Sequence, residues 1–230
     1  MKKAVLFWSG GKDSAMALYY ARQNKDIEVV ALICTINEEF KRVSMHGIRE
    51  SVIERQVAQT GLPLIKMWVP NQPDNLSYEK VLTSTYQNLK EEGIEIIIYG
   101  DIFLEDIRWY RNHLLNKNGL KGYFPLWERN TAELMEEFIK LEFKAILCCI
   151  HTGFLDESTI GAQLDQQFLN DLPVIVDPCG ENGEFHTFCY AGPVFSQEIS
   201  FETGERDYAP LNVKSANEQF EAGFWYIDIY

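Results

Sequence analysis

Positive charge is scarce in this sequence. Its 230 residues carry 21 Lys and Arg against 34 Asp and Glu, a formal net charge of −13. Non-specific affinity for nucleic acid depends on Lys and Arg displacing counterions, so general nucleic-acid binding is excluded. Lys2-Lys3 and the scattered Arg108, Arg111, Lys117 and Lys121 form no basic patch, which leaves two readings, the lining of a pocket and, the favoured one, a solvated helix face. Long apolar runs are missing as well. No stretch approaches a membrane span of about 20 residues, and the five apolar residues Ala4 to Trp8 after Met1-Lys2-Lys3 fall short of the roughly 7–15 of a signal-peptide h-region. The expectation is a cytoplasmic protein without a membrane partner. Cysteine is sparse: Cys34, Cys148, Cys149, Cys179 and Cys189 are odd in number and contain no C-x-x-C pair, which excludes a complete disulfide framework. Cys148-Cys149-Ile150-His151 lacks zinc-ligand spacing and reads as a buried strand. Low-complexity tracts and internal repeats are absent, and the composition, 46% hydrophobic and 24% charged, is that of an ordinary globular protein.

What is present is an alternation. Apolar runs suited to buried parallel strands occur at Ala4–Trp8, Glu28–Cys34, Leu64–Val69 and Ile94–Tyr99, with amphipathic helical stretches at Ser14–Asn24, Ile48–Thr60, Leu76–Glu92 and Leu104–Lys117. This predicts an α/β fold with a doubly wound parallel sheet. Past Gly122-Tyr123-Phe124-Pro125 the character changes. A helix at Thr131–Leu141, a strand at Ala145–Ile150 and a helix at Ile160–Leu169 precede extended segments at Phe185–Tyr190, Val194–Phe201, Leu211–Val213 and Phe224–Ile229. The expected division is a nucleotide-binding domain over residues 1–125 and a smaller α+β domain for the acceptor substrate over residues 126–230.

The first strand ends in Ser9-Gly10-Gly11-Lys12-Asp13-Ser14. Two glycines let a backbone approach an oxyanion, the first helical turn offers N–H groups with partial positive charge, Lys12 adds a full charge, and Ser9 and Ser14 add hydroxyls. An anion site is expected there. The Walker A pattern places four residues between its glycines; here they are adjacent, so that pattern does not fit.

This loop resembles the SGGxDS loop of the PP-loop (N-type) ATP pyrophosphatases. Three further stretches narrow the likeness: Ser44-Met45-His46-Gly47-Ile48-Arg49-Glu50; Tyr99-Gly100-Asp101-Ile102-Phe103-Leu104-Glu105-Asp106; and Asp177-Pro178-Cys179-Gly180-Glu181-Asn182-Gly183-Glu184-Phe185-His186-Thr187-Phe188. In this order they resemble the diphthine–ammonia ligase family over nearly the whole chain. The resemblance implies a HUP-like (adenine nucleotide alpha hydrolase) fold and an ATP-dependent, AMP-producing amide ligase that adenylates a carboxylate and transfers ammonia to it, with ATP and Mg²⁺ required. Elongation factor 2 bearing diphthine is the implied protein substrate, and a homo-oligomer is left open. The implied nucleotide site comprises Ser9, Gly10, Gly11, Lys12, Asp13, Ser14, His46 and Gly100. Lys12, Asp101, Glu184 and His186 are the candidate catalytic residues. Asp101 directly follows a strand at the ligand-bearing sheet edge and is the candidate Mg²⁺ ligand. Glu184 and His186 are expected on one face of an extended segment, placed for acid–base work. Two other readings remain: a PP-loop ATPase acting on tRNA or a small molecule, and a non-catalytic adenine-nucleotide-binding module.

Overall fold

A computed structural model describes residues 1–71, 74–211 and 222–230. Its first half is built on β1 (Lys2–Phe7), α1 (Lys12–Gln23), β2 (Ile27–Asn37), α2 (Glu50–Ala58), β3 (Leu64–Val69), α3 (Asn75–Glu91), β4 (Ile96–Ile98), α4 (Glu105–Lys117) and β5 (Lys121–Tyr123). The five strands are parallel in the order β3-β2-β1-β4-β5. Side chains alternate across the central strand. Ala4, Leu6 and Trp8 pack with α1 and α2 residues, whereas Val5 packs with α3 and α4 residues such as Leu82, Tyr86 and Leu115. Helices therefore cover both faces, as a parallel sheet requires. The strand order reverses between β1 and β4, which opens a crevice at their carboxyl ends.

The second half contains α5 (Thr131–Lys140), β6 (Lys144–His151), a 3₁₀ turn (Glu157–Thr159), α6 (Gln166–Asp171), β7 (Phe185–Ala191), β8 (Thr203–Pro210) and β9 (Gly223–Ile229). Its antiparallel sheet has the order β7-β6-β9-β8. Phe138, Leu147 and Phe188 belong to the same buried cluster as Leu6, Ala15 and Leu18, so the apolar core is continuous between the halves. The five cysteines are free and buried, and among the described residues no helix is long and apolar enough to cross a membrane.

Two local expectations change, one short strand is added, and one expected segment lies mostly outside the described residues. The helix expected over Ile160–Leu169 is confined to Gln166–Asp171, because Gly161 takes φ +82°, Gln163 bridges to Ile146 and Asp165 caps the later start by accepting from the Phe168 N–H. Val194–Phe201 forms no strand; the extended segment is Thr203–Pro210 instead. Lys121–Tyr123, unassigned from sequence, is a short edge strand beside β4. Of the expected Leu211–Val213 segment only Leu211 falls within the described residues.

Candidate active site

β1 delivers the chain to the crevice, and two glycines let it turn there. Gly10 has φ +84°, and a Cβ on it would lie 2.6 Å from Ile53 Cδ1 and 3.0 Å from Gln56 Oε1. A Cβ on Gly11 would lie 2.7 Å from His46 Cε1 and 3.0 Å from the Thr187 carbonyl oxygen. Gly11 also occupies the cap position of α1 without a side chain to cap it. Thr187, from β7, takes that role: its Oγ1 accepts from the Lys12 N–H at 3.0 Å. Ser9 Oγ accepts from the Gly11 N–H at 3.2 Å, and Ser14 Oγ donates to the Gly11 carbonyl at 2.9 Å.

Gln56, fully buried on α2, braces the turn. It accepts from Trp8 Nε1 at 2.7 Å and donates to the carbonyls of Gly10 (2.9 Å) and Cys189 (2.6 Å). The Cys189 N–H also donates to the Gly10 carbonyl at 2.9 Å.

Lys12 is 2% exposed. Its ammonium meets both Asp13 carboxylate oxygens at 2.9 and 2.8 Å and lies over the Phe185 ring. Burial works against the charge, but Asp13, with Cys179 and Glu181 adding, outweighs it and raises the pKa. Lys12 is therefore a fixed cation beside the N-terminus of α1, where an anion is favoured.

Gly100 and Asp101 follow β4 on the opposite side of the crevice. A Cβ on Gly100 would lie 2.9 Å from the Asp13 carbonyl oxygen, so this position allows the two strand ends to approach. Asp101 pairs with Arg111 of α4, with Arg111 Nε 2.6 Å from Oδ2 and Nη2 3.1 Å from Oδ1. The guanidinium lies 4.1 Å from the Tyr99 ring centre. Arg111 is thus turned inward and lines the cavity, the pocket-lining alternative rather than the favoured solvated face. Burial opposes its charge, and the Asp101 carboxylate more than restores it.

The second half contributes through the turn before β7. Glu181 accepts from the Ile102 N–H at 2.7 Å. Desolvation, reinforced by Asp13, pushes its pKa up to about 7. His46 and His186 face each other with ring centres 4.8 Å apart. His46 Nδ1 lies 3.0 Å from the Thr187 carbonyl; a carbonyl can only accept, so Nδ1 carries the proton. Burial lowers the His46 pKa to about 4, and burial, His46 and Lys12 push His186 well below the ordinary range. Both rings are uncharged at neutral pH.

Glu184 departs from its expected role. β7 begins at Phe185, and Gly183 at φ +88° turns the chain just ahead of it. The Glu184 carboxylate is buried against its own turn, accepting from Asp177 N (3.0 Å), Asn182 N (2.9 Å) and Asn182 Nδ2 (3.0 Å). His186 lines the cavity and Glu184 does not; the Glu184 carboxylate shapes the turn that carries Glu181.

A cavity of about 1140 Å³ lies over these groups and is lined by Ser9, Asp13, Ser14, His46, Asp101 and Glu181 together with Gly100 and His186. Residues 1–122 match the family model described as the diphthamide synthase N-terminal domain, and residues 130–218 match the diphthamide synthase C-terminal domain. The chain belongs to the diphthamide synthase family. Among its relatives, the diphthine–ammonia ligase of Homo sapiens is 29% identical over 228 residues, covering 89% of this chain and 84% of that protein. The Bos taurus protein of the same name is 30% identical over 121 residues, covering 50% of this chain and 45% of its own length. That of Schizosaccharomyces pombe is 26% identical over 210 residues, and this chain spans 34% of its length.

In this diphthamide synthase family member the cavity is lined by Ser9, Asp13, Ser14, His46, Gly100, Asp101 and His186, with Gly10, Gly11 and Lys12 in the turn behind that lining and Glu184 outside it. Sequence reasoning gave Gln56 and Thr187 no role, favoured a solvated face for Arg111, and gave Glu181 no separate role. Only Glu181 carried a local signal, an acid between the turn-forming Gly180 and Gly183; the others act through contacts distant in sequence.

Proposed function

We propose that the protein is an ATP-dependent ligase that adenylates a carboxylate and transfers ammonia to it, releasing AMP and pyrophosphate, with diphthine on elongation factor 2 as the acceptor. The observation that carries this reading is the pairing of a strand-end anion cradle with ionisable groups of the second half in one cavity. Residues 1–125 serve the nucleotide and residues 126–230 the acceptor. Backbone N–H groups of the first turn of α1, beyond those of Gly11 and Lys12 that Ser9 and Thr187 already accept, together with the Lys12 ammonium hold the polyphosphate and stabilise the leaving pyrophosphate. The acceptor carboxylate attacks the α-phosphorus, and ammonia then displaces AMP from the acyl carbon. The cavity contributes by holding the reacting groups together.

A divalent cation fits the donor set in one way. Among the described residues no three His, Cys, Asp or Glu side chains converge as a cage, whereas Mg²⁺ commonly takes one or two carboxylates and completes its shell with phosphate oxygens and water. Asp101, whose two oxygens retain lone pairs beyond those facing Arg111, would hold it; when bound, the ion neutralises charge on the phosphates. A cytoplasmic setting belongs to the same proposal and is supported by the five unpaired thiols.

The test is product analysis after incubation with MgATP, ammonium chloride and diphthine-bearing elongation factor 2. AMP and pyrophosphate in step with amide are expected. ADP and phosphate as stoichiometric products would refute the mechanism.

A further inference from the structure

The Arg111 guanidinium is only half engaged. Its Nε and Nη2 face Asp101, while Nη1 donates to nothing among the described residues. Nε is sealed from solvent and Nη1 is not; 26% of the side chain is accessible, and the residue lines the cavity. Its platform is fixed. The guanidinium lies 4.1 Å from the Tyr99 ring centre, the Tyr99 ring stacks on Phe7 with centres 4.8 Å apart, and the Tyr99 hydroxyl bonds that of Tyr86. A planar fork held along one edge by a carboxylate and across one face by a ring presents its other edge at little further entropic cost. The charges around it call for such a group. Glu181, Glu205 and Asp207 line the same cavity and, among the described residues, form no ion pair, so an anion entering the cavity meets repulsion from that wall. Lys12 acts from behind the glycine turn with its ammonium on Asp13. Of the two arginines in the lining, Arg42 is tied through Nη1 to the Gly47 carbonyl and Asp228. Arg111 instead stands on Asp101, next to Gly100, where the end of β4 closes on the Asp13 backbone.

We propose that the outer edge of Arg111 is a substrate contact, donating from Nη1 to an anionic oxygen: a phosphate oxygen of the nucleotide or the carboxylate of the acceptor. The identity of these two anions rests on the ligase reading. Asp101 and the Tyr99 ring fix the plane of the fork, and the open edge supplies a charge-assisted hydrogen bond, stronger than a neutral one. Adenylation has to bring a carboxylate against a phosphate in a cavity that already carries unpaired carboxylates. A guanidinium fixed at that point offsets part of the repulsion, and it does so without reorganising when the two anions meet.

The experiment titrates wild type, Arg111→Lys and Arg111→Gln with ATP in EDTA, where no divalent ion can act through Asp101, and measures KM for diphthine-bearing elongation factor 2 at saturating MgATP. Arg111→Gln should weaken one of the two by about 10- to 100-fold, the loss of one hydrogen bond to a charged group. Arg111→Lys, which keeps the charge but not the fork, should fall between. A loss confined to ATP assigns the contact to the nucleotide, and one confined to the acceptor KM assigns it to the carboxylate. Equal losses with an unchanged urea midpoint place the guanidinium between the two anions. Equal losses with a lowered midpoint mark Arg111 as structural and overturn the contact, as do values within about twofold of wild type in Arg111→Gln. A second readout needs no variant to fold: the ¹⁵N resonances of the wild-type Arg111 guanidinium, followed on adding ATP in EDTA and, separately, the acceptor. Nη1 should shift with at least one of them while Nε, facing Asp101, stays in place. No shift with either overturns the contact even where amide is formed, while a shift with ATP where no amide forms counts against the ligase reading alone.

Discussion

Replacing Gln56 by Leu tests whether the glycine turn is held from outside. Three hydrogen bonds are lost together. The Trp8 indole N–H, on a side chain 2% exposed, is left without its acceptor, a loss of about 1–3 kcal/mol for a buried unsatisfied donor. The Gly10 carbonyl keeps the Cys189 N–H, so its loss, like that of the Cys189 carbonyl, is nearer the net value of about 0.5–1.5 kcal/mol for a single bond. Leucine returns some stability by removing a buried amide. The sum is about 2–5 kcal/mol, a large fraction of the roughly 5–15 kcal/mol total of a typical protein, and at about 2–4 °C per kcal/mol for a chain of this size the midpoint should drop by about 4–20 °C. Urea unfolding gives the free energy directly, and a MgATP titration should show weaker binding because the Gly10 peptide plane loses one of its two anchors. Gln56→Glu should be worse than Leu, since a carboxylate would face the two carbonyls that the amide now donates to. A change below about 0.5 kcal/mol in Gln56→Leu, the range of an ordinary surface substitution, would refute the brace.

Gly10→Ala forces a side chain to φ +84° and places its Cβ against Ile53 and Gln56; a loss of at least about 1 kcal/mol in urea unfolding is expected, with weaker MgATP binding, and a neutral result would mean that the turn relaxes freely. Glu181 binds more protons in the folded chain between its ordinary pKa of 4.5 and about 7, so it contributes a fall in stability as pH rises through that window, at a slope of at most about 1.4 kcal/mol per pH unit; Glu181→Gln should flatten the profile there, and an unchanged slope in urea unfolding would show that the carboxyl titrates normally.

Much of the fold is legible because burial on both faces of a parallel sheet demands continuous apolar runs, and Ala4-Val5-Leu6 and Ile96-Ile97-Ile98 supply them. β8 hid because its sequence is polar: Glu205, Asp207 and Ala209 alternate toward the cavity, leaving no apolar face to detect. The glycine loop is legible because its constraint is local, a backbone angle and the absence of Cβ atoms. The environment of Glu184 was hidden because its carboxylate accepts from the N–H of Asp177 and from Asn182 within the turn, which a period-two pattern does not reveal. Thr187 and Gln56 were invisible for the opposite reason: their bonds to Lys12 and Cys189 join residues 175 and 133 apart in sequence, and nothing in a threonine or a glutamine announces such a partner.

Those distant bonds determine how the halves can work. The Gly10 carbonyl, the Lys12 N–H and the His46 ring each end on β7, at Cys189 N, Thr187 Oγ1 and the Thr187 carbonyl respectively. The strand that carries His186 is therefore the strand that fixes the glycine turn. A shift of β7 by even half a residue would break all three bonds at once, because hydrogen bonds weaken steeply beyond about 3.2 Å or below about 120°. In the proposed reaction the adenylate is made and consumed in one cavity whose two walls are stitched together at Thr187 and Cys189. The acyl carbon then needs no domain movement to reach its nucleophile, and specificity falls to whatever fits the cavity beside the cradle.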